Sequence, residues 1–202
     1  MGLAAVKTIY LSEQDYLEAE KISDVKHEYF DGEIFAMSGA KANHQRITMN
    51  VGGEFRNHLK GTPCEAFSSD MKVRADKGNK YFYPDVVVSC NQDGESDFTE
   101  SPRLIVEVLS SSTRKFDKDL KRKIYQTIPT LEEYVLIEQD HVEIEISRKS
   151  ADWHSSYYFI DDDVTFASIG LTLPVLEIYS RVENKELQEF LTKQEAQLRD
   201  SN

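Results

Sequence analysis

The sequence predicts a single α/β (α+β) domain with a mixed central β-sheet flanked by helices, and three observations carry that expectation. The chain has 202 residues, enough for one well-buried core and too few for two full domains. Two near-continuous apolar runs, Asp85-Val86-Val87-Val88 and Leu104-Ile105-Val106-Glu107-Val108-Leu109, have the pattern of strands covered on both faces. Residues 43–60 instead carry Ile47, Met49, Val51, Phe55 and Leu59 at helical spacing, which supplies a long helix to cover such a sheet.

The elements follow in chain order. Ser12 with Asp15 three residues later, ahead of Tyr16 and Leu17, caps a short helix running to about Lys21. Residues 27–37 are β-prone on either side of Asp31-Gly32, a hairpin signal. Gly61-Thr62-Pro63 ends the long helix. Residues 65–74, 81–89 and 103–109 then read as three strands, adjacent in one sheet, with the polar loop 91–97 between the last two. Ser110 to Thr113 cap a basic helix, 114–126, whose apolar face carries Phe116, Leu120, Ile124 and Tyr125. Residues 133–137, 142–146, 155–160 and 171–179 complete the core, so the domain is expected over 1–182 with 183–202 as a polar tail.

Composition narrows the function. The 36 acidic and 24 basic residues give a net charge of −12, the wrong sign for gripping naked nucleic acid by counterion release. The same balance is compatible with a site that collects carboxylates around a divalent metal. No apolar run approaches the roughly 20 residues of a membrane span. The Met1–Lys7 start lacks the basic-then-apolar pattern of a secretory signal, so a cytoplasmic location is expected. Cys64 and Cys90 are too few for a disulfide framework or a zinc cage and are expected as reduced, packed thiols.

Two acids stand out against their neighbours. Asp85 follows Pro84 at the mouth of one buried run, and Glu107 interrupts the apolar residues of the next. A carboxylate buried this way is costly unless it is paired or holds a cation. Two of them on adjacent strands can ligate Mg²⁺, which takes oxygen ligands and keeps several waters. That is the chemistry of phosphodiester hydrolysis. For either acid alone, a lysine partner or a strand cap is explanation enough; the pair favours the metal.

Pro84-Asp85, the run Leu104 to Ser110, and Lys121-Arg122-Lys123-Ile124-Tyr125 followed by Glu133-Tyr134-Val135 resemble the Uma-two family of restriction endonuclease-like bacterial proteins, within the PD-(D/E)XK nuclease superfamily. His27-Glu28 before Asp31-Gly32-Glu33, and His44-Gln45-Arg46, extend the resemblance over about residues 12–179. It implies a restriction-endonuclease-like core with Asp85 and Glu107 as Mg²⁺ ligands, Mn²⁺ being a substitute. Where the superfamily motif has a lysine two residues after the acid, this chain has Leu109. The resemblance implies that Lys121, from the following helix, replaces it, with Lys123 as a competitor about 200° round the helix. Glu28 would match an N-terminal glutamate that contacts metal or water, although a surface role beside Lys26 explains it nearly as well. Asp70 reads as a strand cap or a support to the site, His44 as a helix-start cap or a packed ring, and Tyr83 and Tyr125 as core.

The leading reading is thus a Mg²⁺-dependent endonuclease acting on DNA, with RNA as an alternative substrate. A catalytically weak nuclease-fold accessory or DNA-interaction module is the competing one, supported by the acidic balance and the displaced lysine. A homodimer is expected, because a single chain offers little binding surface.

Overall fold

In the computed structural model, which describes residues 10–37 and 39–200, the chain opens with α1 (Glu13–Glu20). The Met1–Lys7 segment lies outside those residues. Ser12 caps α1 as expected, its hydroxyl accepting the Asp15 N–H at 3.2 Å. The hairpin of β1 (His27–Phe30) and β2 (Glu33–Ala36) turns at Asp31 and Gly32, whose φ values of 48° and 94° suit an Asp-Gly pair. The long helix is α2 (Ala42–His58).

Two of the expected strands are each divided between two sheets. Residues 65–74 fall into β3 (Cys64–Ser68) and β4 (Lys72–Ala75), broken at Ser69, where φ is 58°. Residues 81–89 fall into β5 (Lys80–Phe82) and β6 (Val86–Cys90), broken at Tyr83-Pro84-Asp85, where Pro84 has no N–H for a ladder. After β7 (Phe98–Thr99) and β8 (Pro102–Leu109) comes the basic helix, a continuous rod made of α3 (Arg114–Phe116), a π-helical turn (Asp117–Lys121) and α4 (Arg122–Tyr125). Strands β9 (Glu133–Glu138), β10 (Ile144–Arg148) and β11 (Ser155–Tyr158) follow. A separate ribbon pairs β12 (Asp163–Phe166) with β13 (Leu171–Pro174), and the chain continues into α5 (Val175–Ile178) and α6 (Lys185–Asp200).

The main sheet has the order β11-β10-β9-β8-β6-β3 and is mixed, with β8 and β9 parallel and the other neighbours antiparallel. A second sheet has the order β2-β1-β5-β4-β7. Period-two alternation sorts the main sheet's residues between two cores. Val86, Val88, Leu104, Val106 and Val108 pack with Ile47, Val51 and Phe55 of α2. Val87, Ile105 and Leu109 point the other way and join Ile124 and Tyr125 of the basic helix, together with Val73 and Phe82 of the second sheet. Glu107 shares the parity of Ile105 and Leu109, so the strand's own geometry aims it at the basic helix.

One expectation is corrected here. The β3–β6 register sets Cys64 opposite Cys90, and a disulfide joins them in place of two reduced thiols. Strand pairing brings together residues 26 apart in the chain, which spacing alone does not reveal.

Candidate active site

Asp85 is held where the chain passes from the second sheet to the main one. Asp85 immediately precedes Val86 and Glu107 immediately follows Val106, the last register pair of β6 and β8, so both acids stand at the same end of that strand pair. The Val108 N–H donates to Asp85 Oδ2 at 2.7 Å, and His44 Nε2, from the first turn of α2, lies 3.3 Å from the same oxygen. Asp85 thus has one oxygen anchored twice. Among the described residues no hydrogen bond reaches its Oδ1.

Glu107 is 4 % exposed and receives two donors on Oε1: Lys121 Nζ at 3.1 Å and the Tyr125 hydroxyl at 3.3 Å. Four residues along a helix return to the same face, so Lys121 and Tyr125 reach the same oxygen. The Lys121 ammonium also lies 2.7 Å from Glu28 Oε1 and 3.4 Å from Asp117 Oδ1. The rings of Phe82 and Phe116 flank it at 5.6 and 5.8 Å. Glu28 arrives from β1, where alternation puts it on the face of Phe30 while Tyr29 faces the aromatic cluster of Tyr16 and Tyr81. The Tyr83 N–H donates to Glu28 at 3.4 Å, tying that acid to the strand connection as well.

Three carboxylates therefore share one ammonium, with Asp85 nearby on His44, and the electrostatics follow from that imbalance. Burial pushes the Glu107 carboxyl well above its ordinary range; Lys121 pulls it down, but Asp117, Asp85 and Glu28 push it up. Burial likewise raises Asp117 against the pull of Lys121 and Thr113. For Lys121, burial opposes the charge, and Glu107, Glu28 and Asp117 overcome it, so the ammonium stays protonated well above the usual lysine range. Burial also disfavours the His44 cation, yet Asp85 and the Val108 carbonyl raise its pKa above the ordinary value.

The structure brings Asp85, Glu107, Lys121 and Glu28 to one place and leaves other candidates outside. Lys123 is 75 % exposed in its side chain and faces Asp119, as the helical period requires. Asp70 is 78 % exposed in its side chain and pairs with Lys26. Tyr125 is buried as expected and also hydrogen-bonds Glu107. Asp117 went unread in the sequence, although its spacing of four from Lys121 is the signature of a helical ion pair. His44 was read as a cap or packed ring; its contact with Asp85 joins residues 41 apart in the chain, and no local pattern announces it.

The donor set has the chemistry a divalent cation takes, but no three of its ligand atoms lie within 4.8 Å of one another, so a cation there would draw on one or two carboxylates and waters. Hard carboxylate oxygens predominate, they outnumber the nearby cation, and Asp85 Oδ1 and Glu107 Oε2 accept no hydrogen bond from the described residues. Elsewhere among the described residues, Glu138, His141 and Glu143 gather ligand atoms within 4.8 Å of one another. There Glu138 is already held by Arg114 at 2.6 Å and Lys118 at 3.1 Å, which makes it a salt-bridge node.

Comparison with known proteins bears on the fold and the family. A solved structure from Anabaena variabilis, described as "a putative nuclease belonging to DUF820", superposes with a TM-score of 0.67 over 86 % of this chain and 99 % of that one, at 17 % identity, and so shares the fold. Two Synechocystis proteins are similar in sequence: "Uncharacterized protein slr1290", 40 % identical over 84 % of this chain and 91 % of its own, and "Uncharacterized protein sll1609", 36 % identical over 74 % and 87 %. Residues 13–190 match the sequence profile of the family Uma2, described as "Putative restriction endonuclease", and the chain belongs to that family.

Proposed function

We propose that the protein is a Mg²⁺-dependent endonuclease that hydrolyses phosphodiester bonds of DNA. The observation that carries this reading is the gathering of Glu107, Glu28 and Asp117 on the single buried ammonium of Lys121, with Asp85 held at the same end of the strand pair by His44 and the Val108 N–H. A fold that needed only a buried ion pair would place one acid there.

In this reading Asp85 and Glu107 hold the metal, and Glu28 adds a contact to the metal or its water. When bound, Mg²⁺ supplies Lewis acidity toward the phosphodiester and lowers the pKa of the attacking water. The Val108 N–H and His44 fix one oxygen of Asp85 and leave the other for the metal, so the carboxylate is oriented in advance. Lys121 keeps a full positive charge inside an aromatic lining, where it offsets negative charge gathering on the phosphate.

Plasmid DNA with Mg²⁺ or Mn²⁺ tests the proposal. Nicking or linearisation by the wild type, reduced at least about 100-fold in Asp85→Asn and Glu107→Gln, is the expected result. A nuclease-fold module that binds without cutting is the second reading, favoured by Lys121 already neutralising Glu107. Metal binding without cleavage of either DNA or RNA would establish it.

The same proposal includes a homodimer, since paired copies would lengthen the binding surface. Light scattering on a gel-filtration column checks it, and a monomer at micromolar concentration refutes it. A cytoplasmic setting also belongs to it, and the Cys64–Cys90 disulfide pulls against that part, because reducing compartments keep such thiols apart. Among the described residues no helix is long and apolar enough to cross a membrane.

A further inference from the structure

Three carboxylates share the Lys121 ammonium, and they are not equivalent. Glu107 and Glu28 belong to the metal side of the site in the reading above, on which this inference rests. A divalent cation drawing on those two acids repels an ammonium that now lies 3.1 and 2.7 Å from them. Asp117 is the acid that remains, and three features fit it to keep the lysine.

Asp117 sits four residues before Lys121 in the same π-helical turn, so the two side chains travel together, whereas Glu28 and Glu107 hang from separate sheets. It is 2 % exposed, and its Oδ1 is buried without a hydrogen-bond partner, 3.4 Å from the ammonium and short of bonding geometry. That oxygen can still gain a full bond if the lysine turns toward it. The backbone at this point is anchored: the Tyr134 hydroxyl donates to the Asp117 carbonyl at 3.0 Å, and the Asp117 N–H donates to the Thr113 carbonyl at 3.0 Å. Single π-helical turns inside a helix recur at functional sites, where they re-aim side chains.

We infer that Asp117 is the positioning residue for Lys121, holding its ammonium beside the site while Glu107 and Glu28 engage a divalent cation. Asp117 acts through the lysine and touches neither the metal nor the phosphate.

Mn²⁺ titration calorimetry on the full chain tests this without reference to cleavage. Asp117→Asn frees the ammonium to compete for Glu107, so Mn²⁺ affinity falls about tenfold in the wild-type background. In a Lys121→Met background there is no ammonium to hold, and the same Asp117→Asn change costs less than about threefold. An equal loss in both backgrounds makes Asp117 a direct ligand or a plain source of negative field and overturns the inference, leaving the metal reading intact. Absence of Mn²⁺ binding by the wild type overturns both. Melting curves establish that each variant is folded; if Lys121→Met is not, Lys121→Gln, which keeps two N–H donors without the charge, takes its place in the cycle.

Discussion

Adding a divalent cation to the metal-free protein raises its melting temperature, and the charge count at the site sets the scale. Three acids facing one ammonium leave two formal negative charges in a largely buried space, which a doubly charged ion offsets. A ligand that binds only the folded chain contributes about 2.7 kcal/mol at one hundred times its Kd. For 202 residues, an unfolding entropy of about 2.1 cal/mol/K per residue gives roughly 0.42 kcal/mol/K, so the expected rise is about 6 °C. The pH dependence has a defined sign. Burial and the neighbouring acids hold the Glu107 pKa well above 4.5, so the folded chain binds that proton more tightly than the unfolded chain does. Metal-free stability therefore carries a loss that grows as pH rises from about 4.5 toward the raised value, and a cation competing with that proton stabilises more as pH rises. Differential scanning fluorimetry with MnCl₂ at about pH 5 and about pH 8, against NaCl of equal ionic strength, measures both effects. A shift that persists in Asp85→Asn, or no shift at either pH, refutes the reasoning.

Other expectations follow from individual contacts. His44→Ala removes one of the two anchors on Asp85 and lowers Mn²⁺ affinity about 10–100-fold by calorimetry, with His44→Gln losing less because it keeps a donor; unchanged affinity would make the histidine a packed ring only. Reducing the Cys64–Cys90 bridge, which closes a loop spanning 26 residues of sequence, lowers stability by about 3.5 kcal/mol and the melting temperature by roughly 8 °C. Melting with and without a phosphine reductant, beside a thiol count, checks it, and coincident curves after complete reduction contradict it. Lys123→Ala changes neither cleavage nor stability beyond about 0.5 kcal/mol, because its exposed pair with Asp119 at 3.7 Å is screened by water; a large loss of cleavage would mean that the wrong lysine has been assigned.

Much of the site was legible because its placement is periodic. Glu107 lies between residues of alternating parity in an apolar run, and that parity alone aims it at one face of the sheet. Lys121 and Tyr125 fall on one side of a helix that must cover that face, so their meeting at Glu107 follows from the two periods. The partition of residues 65–74 and 81–89 between two sheets was not legible. Ser69 in the left-handed region and Pro84 within an extended run both interrupt pairing, yet nothing local says that the chain then joins a different sheet. The cysteines were misread for a related reason: the β3–β6 register is a tertiary fact. His44 reaches Asp85 only because Ile47, Val51 and Phe55 pack α2 against the main sheet.

Because Glu28 hangs from the second sheet and Glu107 from the main one, the Lys121 ammonium works as a clasp between two layers of the molecule. Breaking such a buried pair costs about 3–5 kcal/mol, so Lys121→Ala loosens the architecture as well as the chemistry. Any ligand that pries the layers apart about Tyr83-Pro84-Asp85 must stretch the contacts that assemble the site, and one that squeezes them together tightens it.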